Sequence, residues 1–362
     1  MSKYKVGFVL PDFRGGGAER VTISLANQLK LKHDIDICII VGLCNGPLKN
    51  MVHPDIAIFQ LGSNSGFKNA FKLKRLSSKL HLTHLMGTLG MAHSVALSKL
   101  LGNKAKCISR IGNTISKDLE RWSGFKRILM LYYQNVLFFS DVVITQSKYM
   151  ENDLCKTVPL LKRHANLHQI YNPIDLDGIK QKALRNITPT SIKYDFVTVG
   201  RLEWQKDVMT IIKGFALYHA KYSASKLHIF GDGSCKVHLK NEVVNLGLSD
   251  SVLFHGFVEN PYPFIRNCKS FIMASLYEGF SNAILEAICL EAKVIVTDCP
   301  GGNKELIANG VNGILFPVGD YERLCYELEN VESFKPQFSS VEQFNLENIA
   351  QLYLKTIMVG VQ

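Results

Sequence analysis

The chain has 362 residues, 47% of them hydrophobic and 20% charged, which is too long for one small core and too apolar for disorder, and so predicts two domains of about 150–200 residues each. Its nine cysteines stand singly with no CxxC pair, a pattern that argues against a disulfide framework or a zinc site and for reduced, mostly buried thiols in a cytoplasmic protein. The net charge of +11 is uneven: residues 1–180 carry 25 Lys and Arg against 12 Asp and Glu, and the remainder 17 against 19. No nucleic-acid module accompanies this excess, so a surface facing anionic lipid or an acidic acceptor stands beside the plain alternative of a solvated basic face.

In chain order, MSKYKVGFVLPDF opens with an apolar run too short to span a membrane. It leads into Pro, Asp and Gly instead of a small-residue cleavage site, and reads as a first strand, Lys5–Leu10. Apolar runs then alternate with amphipathic stretches. Strands are expected at Asp36–Val41, Ile56–Leu61, Leu82–Met86, Lys106–Ile111 and Asp141–Thr145, with helices such as Ala18–Leu29 and Ala92–Leu101 between them. Two segments, Phe67–Lys79 and Glu120–Phe139, mix aromatic and basic residues. Each fits either a core-facing helix with snorkelling lysines or a helix resting on lipid headgroups. The Pro-containing stretch Tyr171–Asp177 and the polar residues Lys180–Tyr194 read as a linker.

The second half begins again with a strand, Phe196–Val199, then a helix, Asp207–Tyr222. Further strands are expected at Lys226–Phe230, Val252–His255, Ser270–Ala274, Val294–Thr297 and Gly313–Phe316, and a last helix at Leu346–Val359. The alternation predicts two successive Rossmann-like α/β units binding ligand at the carboxyl ends of their strands. Gly15-Gly16-Gly17 is not a GxGxxG fingerprint, which weighs against a dinucleotide site. The two DxD patterns, Asp34-Ile-Asp36 and Asp175-Leu-Asp177, fall at a strand start and in the linker. Both read as structural, so no metal site is expected.

Three features fall at strand ends in the second half. In VGRLEWQKD, Gly200 permits a sharp exit from the strand, and Arg201 and Lys206 offer two cations to a leaving group that gains negative charge. In SLYEGFSNAILEAICLEA, Ser281 can cap a helix over Asn282–Glu291, and the free N–H groups at its start, from Gly279 and Phe280 through Ser281 and Asn282, suit a diphosphate. Glu286, one turn inside and surrounded by apolar residues, can accept from ribose hydroxyls. In DCPGGNKELI, Gly301-Gly302 makes another close-approach loop.

The combination GRLxxxKD, two glutamates separated by seven residues (Glu278 and Glu286), the later GGxxE and the N-terminal RGGGAERV resembles glycosyltransferase family 4. YNPID (Tyr171–Asp175) and the last helix also sit where that family has them. The resemblance implies a retaining transferase of GT-B architecture: two Rossmann-like domains facing a cleft, residues 1–178 with about 344–362 for acceptor and 179–343 for donor, the C-terminal helix returning to the first domain. It further implies that Arg201 and Lys206 hold the diphosphate, Glu278 the donor sugar and Glu286 the ribose. Gly16 and Gly17 would form a loop over phosphates or acceptor, and Phe257 and Val258 would lie near the base. Where many members carry a histidine, this chain has Ile111; Arg110, Asn113, His93 and His84 are the nearby candidates for acceptor contact.

The expected reaction is sugar transfer, without metal or other cofactor, from a UDP-sugar (an N-acetylhexosamine or galactose) to a lipid-linked glycan at the cytoplasmic face of a bacterial membrane, serving surface polysaccharide synthesis. GDP-mannose is the alternative donor. A sugar-nucleotide epimerase of the same architecture and a non-catalytic nucleotide-sugar-binding subunit are the competing readings.

Overall fold

A computed structural model of the chain describes residues 4–14, 16–63, 65–185, 194–338 and 341–358. Gly15 of the N-terminal glycine run, residues 186–193 of the expected linker and Val359 of the last helix lie outside the described residues. The elements run β1 (Lys5–Leu10), α1 (Gly17–Lys32), β2 (Asp36–Val41), β3 (Ala57–Gln60), α2 (Gly66–Leu80), β4 (His84–Thr88), α3 (Gly90–Leu100), β5 (Lys106–Arg110), α4 (Ile115–Leu119), α5 (Gly124–Gln134), β6 (Val142–Thr145), α6 (Lys148–Thr157) and β7 (Leu167–Gln169). They continue with α7 (Leu176–Ala183), β8 (Tyr194–Val199), α8 (Val208–Lys221), β9 (Leu227–Phe230), α9 (Lys236–Asn245), β10 (Val252–Gly256), α10 (Tyr262–Arg266), β11 (Cys268–Met273), α11 (Asn282–Cys289), β12 (Val294–Thr297), α12 (Asn303–Leu306), β13 (Ile314–Phe316), α13 (Tyr321–Asn330) and α14 (Leu346–Met358).

The chain divides into two compact units, Met1–Pro173 with Gln343–Gln362, and Ile174–Glu342. Each holds one sheet whose strand pairs are all parallel, ordered β3-β2-β1-β4-β5-β6-β7 in the first unit and β10-β9-β8-β11-β12-β13 in the second. Parallel strands covered by helices on both faces require unbroken apolar runs. Hence Val6–Leu10 and Val294–Thr297 are buried at every position. The stretch read as a linker is extended only as far as Asp175 and then forms a helix: Asp175 Oδ1 accepts from Gly178 N at 3.1 Å and caps α7. This is the ordinary work of an Asp at a helix start.

The last helix belongs to the first unit. Ile349, Ala350, Tyr353 and Ile357 join the core built by β1, β2 and α1. The first unit also contains β7, a three-residue strand at its edge that no apolar run in the sequence announces. No helix among the described residues is long and apolar enough to cross a membrane.

Candidate active site

In the second unit the strand order reverses direction between β8 and β11, each leading outward to the opposite half of the sheet. An open parallel sheet has a crevice outside the carboxyl ends at such a switch point, because the two connecting chains diverge to opposite faces. The loops leaving β8 and β11 carry GRLEWQKD and SLYEGFS. Gln205 stitches them together: its carbonyl accepts from Leu276 N at 2.8 Å, and its Nε2 donates to Tyr277 O at 2.8 Å. The glycine loop after β12 closes over the second of them. Glu278 N donates to Pro300 O at 2.9 Å and Gly302 N to Gly279 O at 2.9 Å. At Gly301, φ is +143° and a Cβ would stand 2.1 Å from the Glu278 carbonyl oxygen, so only glycine fits.

The conformational demand assigned by sequence to Gly200 falls elsewhere. Open space surrounds Gly200, whereas Gly231 on the neighbouring loop has φ +138° and a Cβ position 1.8 Å from the Gly200 carbonyl oxygen. The glycine requirement therefore arises from the approach of two backbones, and it fixes the path of the Arg201 loop.

These loops bring Lys206 and Glu278 together. Lys206 Nζ lies 2.5 Å from Glu278 Oε1, and Ser275 Oγ donates to the same oxygen at 2.6 Å. Both charged side chains are sheltered from solvent. A sheltered ion pair adds little net stability against its desolvation cost, so its place at a ligand-binding edge points to chemistry. The Arg201 side chain, by contrast, is exposed and has no hydrogen-bond or ion-pair partner among the described residues. Asp207, in the left-handed region at φ 42°, accepts from Thr210 Oγ1 at 2.6 Å and caps α8, turning the chain away just after Lys206.

Ser281 caps α11 as the sequence suggests, its Oγ accepting from Ile284 N at 3.4 Å. Gly279 and Phe280 lead into the helix; the Phe280 ring is buried, which leaves only its backbone to face a ligand, and Asn282 is half-buried. Glu286, half-buried one turn further, accepts from Tyr262 Oη at 3.3 Å. Exposed Phe257 and half-buried Val258 follow β10 on the same edge of the sheet. Gln205, Ser275 and Tyr262 are absent from the sequence-based list. The only signal for Gln205 was its place next to Lys206 and for Ser275 its place three residues before Glu278, and none existed for Tyr262.

The first unit treats its candidates differently. Gly16 is the cap residue of α1 and Gly17 its first member, and Glu19 folds back so that a Cβ on Gly16 would meet its Oε2 at 2.1 Å. Arg110 is not available to an acceptor. Its guanidinium is fully buried, donating from Nε to Tyr353 Oη at 2.9 Å, from Nη1 to Thr88 Oγ1 at 3.0 Å and from Nη2 to Asn172 Oδ1 at 2.5 Å. Ile111 is core, packed with Ala92, Ile115 and Val143. Asn113 Nδ2 donates to Asp118 Oδ1 at 2.9 Å. His93 stacks on Tyr133 with ring centroids 4.9 Å apart and its Nε2 lies 2.7 Å from Gln134 Oε1; burial lowers its pKa. His84 opens β4 at the amino end of the sheet, opposite the ligand-binding edge, and burial pushes its pKa down to about 4. It is therefore a core histidine.

Residues 180–338, which include both site loops, α11 and the glycine loop, match the family described as glycosyl transferases group 1. Among curated proteins, the chain is 28% identical over 341 residues to the N-acetylgalactosamine-N,N'-diacetylbacillosaminyl-diphospho-undecaprenol 4-alpha-N-acetylgalactosaminyltransferase of Campylobacter jejuni, covering 90% of each chain. A second transferase of that organism, acting on GalNAc-alpha-(1->4)-GalNAc-alpha-(1->3)-diNAcBac-PP-undecaprenol as an alpha-1,4-N-acetyl-D-galactosaminyltransferase, is 25% identical over 372 residues, 98% of each chain. Among solved structures, Anabaena Alr3699/HepE in complex with UDP-glucose shares the fold with a TM-score of 0.80 at 18% identity, over 98% of this chain and 99% of that one. With two parallel Rossmann-like sheets and this set of relatives, the chain is a glycosyltransferase of the GT-B fold whose residues 180–338 match the glycosyl transferases group 1.

Proposed function

We propose that the protein transfers an N-acetylhexosamine from a UDP-sugar to a hydroxyl of a lipid-linked glycan, with retention of anomeric configuration, in bacterial surface polysaccharide synthesis. The observation that carries this reading is the switch point of the second unit, where exposed Arg201 stands beside the sheltered Lys206–Glu278 pair and the start of α11. A departing diphosphate gains charge as its bond to sugar breaks, and preplaced cations stabilise that charge without reorganising. The diphosphate competes with Glu278 for the Lys206 ammonium, while Glu278 accepts from donor-sugar hydroxyls and Glu286 from the ribose. In a retaining displacement the acceptor approaches the face the diphosphate leaves, and a phosphate oxygen takes the acceptor proton. No side-chain base is needed, and no metal. The choice of N-acetylhexosamine and of a lipid-linked acceptor draws support from the names of the Campylobacter relatives, and that of UDP from the complex of Alr3699/HepE with UDP-glucose. The basic first half supports work at the cytoplasmic membrane face.

The test is incubation with a panel of nucleotide sugars and membrane extract, with products read by mass spectrometry. Acceptor-dependent release of UDP with a product heavier by one N-acetylhexosamine is the expected result. Acceptor-free conversion of the sugar assigns an epimerase instead, and release of GDP from GDP-mannose moves the donor. Chelator is expected to leave turnover unchanged; a loss restored by magnesium refutes metal independence.

A further inference from the structure

Helix α5, GFKRILMLYYQ, carries its apolar residues on the outside. Phe125, Ile128, Leu129 and Tyr132 follow the i, i+3, i+4, i+7 spacing of an apolar stripe, yet they are 79%, 51%, 57% and 71% exposed. Such a stripe ordinarily marks the face a helix buries. Here the inward contacts are made by the other side: Met130 packs against the core, and Tyr133 and Gln134 meet His93. Among the residues of α5 only Gln134 is buried.

The exposed surface continues onto α2. A Cβ on Gly66 would lie 2.8 Å from Tyr133 Oη, which sets the start of α2 beside the end of α5. There Phe67 and Phe71, 62% and 52% exposed, stack edge to face with ring centroids 5.6 Å apart. Neither helix contains an Asp or Glu. Lys72 and Lys74 are committed to the backbone carbonyls of Leu61 and Leu101 and Lys126 Nζ lies 3.9 Å from the centre of the Trp122 ring, whereas Lys68, Arg75 and Lys79 on α2 and Arg127 on α5 extend into solvent.

We infer that α5, with the first turns of α2, is the element by which this protein lies on an anionic lipid bilayer, the four-residue stripe of α5 entering the headgroup–acyl boundary and the cations meeting lipid phosphates. Apolar side chains facing out, cations beside them and no carboxylate on either helix fit a negatively charged surface with an apolar interior. A second copy of the chain would set these cations against each other. The inference rests on the proposal that the acceptor is lipid-linked only for its purpose; its physical basis is independent of the sugar.

The experiment is co-sedimentation of the full chain with vesicles of phosphatidylglycerol and phosphatidylcholine, with pure phosphatidylcholine vesicles in parallel, while UDP binding is followed by calorimetry. The wild type is expected to sediment with the anionic vesicles. Phe125→Glu/Leu129→Glu is expected to weaken that partition about tenfold or more. Lys68→Glu/Arg75→Glu is expected to weaken it severalfold, most strongly at low salt. Phe125→Ser alone serves if the double variant does not fold. A wild type left in the supernatant, or a Phe125/Leu129 variant that sediments as the wild type does, overturns the inference. So does a dimer broken by that variant with no vesicle binding, which assigns the stripe to a second copy. Failure of UDP binding in the wild type defeats the donor reading instead and leaves the vesicle result standing.

Discussion

The carboxyl edges of the two sheets are built on opposite plans. In the second unit, charge is brought to the edge and held there: Gln205 ties two loops, Gly301 presses a third against them, and Lys206 meets Glu278 between. In the first unit, charge near the edge is consumed internally. Arg110 is sealed beneath Tyr353, Thr88 and Asn172, Asn113 binds Asp118, and Ile111 is core. The difference teaches that one unit holds charged groups in fixed places at its edge, while the other spends its polar groups on its own packing.

The largest effects are expected where those charged groups are removed. Arg201→Ala should lower turnover about a hundred- to a thousandfold with an unchanged melting temperature, since the side chain is exposed. Lys206→Ala should lose turnover to a similar extent and also about 3 kcal/mol of stability, because it leaves the Glu278 carboxylate sheltered without its cation. Near-normal turnover in either variant removes that residue from the diphosphate role. Gly301→Ala comes next: with φ at +143° and the Glu278 carbonyl in the way, about 2–3 kcal/mol of strain should appear together with at least a tenfold loss of turnover. Denaturant melts and steady-state rates on one preparation check both.

Arg110→Met tests the other side of the contrast. It should cost about 3 kcal/mol, as Tyr353, Thr88 and Asn172 lose a shared donor, while UDP affinity of the folded protein stays unchanged. Unchanged stability with a raised acceptor KM would return Arg110 to the ligand contacts and undo the comparison.

The smallest expected effect is a pH dependence shared by both units. Burial lowers His84, in the first unit, to about 4. In the second, burial and then the neighbouring His255, whose Nε2 lies 3.0 Å from Nδ1, lower His228 to about 4. A folded-state pKa below the unfolded value of about 6.5 means that the unfolded chain binds more protons between those values. The stabilisation is therefore complete above pH 6.5 and is lost as pH falls toward 4. His84→Gln and His228→Gln should each flatten part of that slope in melts recorded from pH 7 to 4. A slope unchanged in both variants assigns it to other groups.

Much of this was legible in the sequence because it rests on periodicity and spacing. Short β-branched runs such as VIVT and DICIIV favour buried parallel strands, and Ser281 before an apolar helix favours a cap of the kind observed. What escaped was whatever depends on which partner a side chain finds. Gln205, Ser275 and Tyr262 carry no pattern, and Arg110 at a strand end looks the same whether it faces solvent or Tyr353. The short edge strand β7 is half-exposed and so has no apolar run to reveal it. The segment that holds α5 was visible as a mix of aromatic and basic residues, but composition does not say which face is turned inward.

The return of α14 to the first unit has a consequence for how the protein comes into being. Residues 174–342 form a continuous stretch and can close into their sheet as soon as they have emerged from the ribosome. The first unit, though made earlier, waits: its buried guanidinium has no phenol to meet until Tyr353 has been added, and the groove along α1 stays uncovered until then. The half synthesised first is therefore the half finished last, and loss of the final helix alone spares the second sheet while leaving the first without its closing piece.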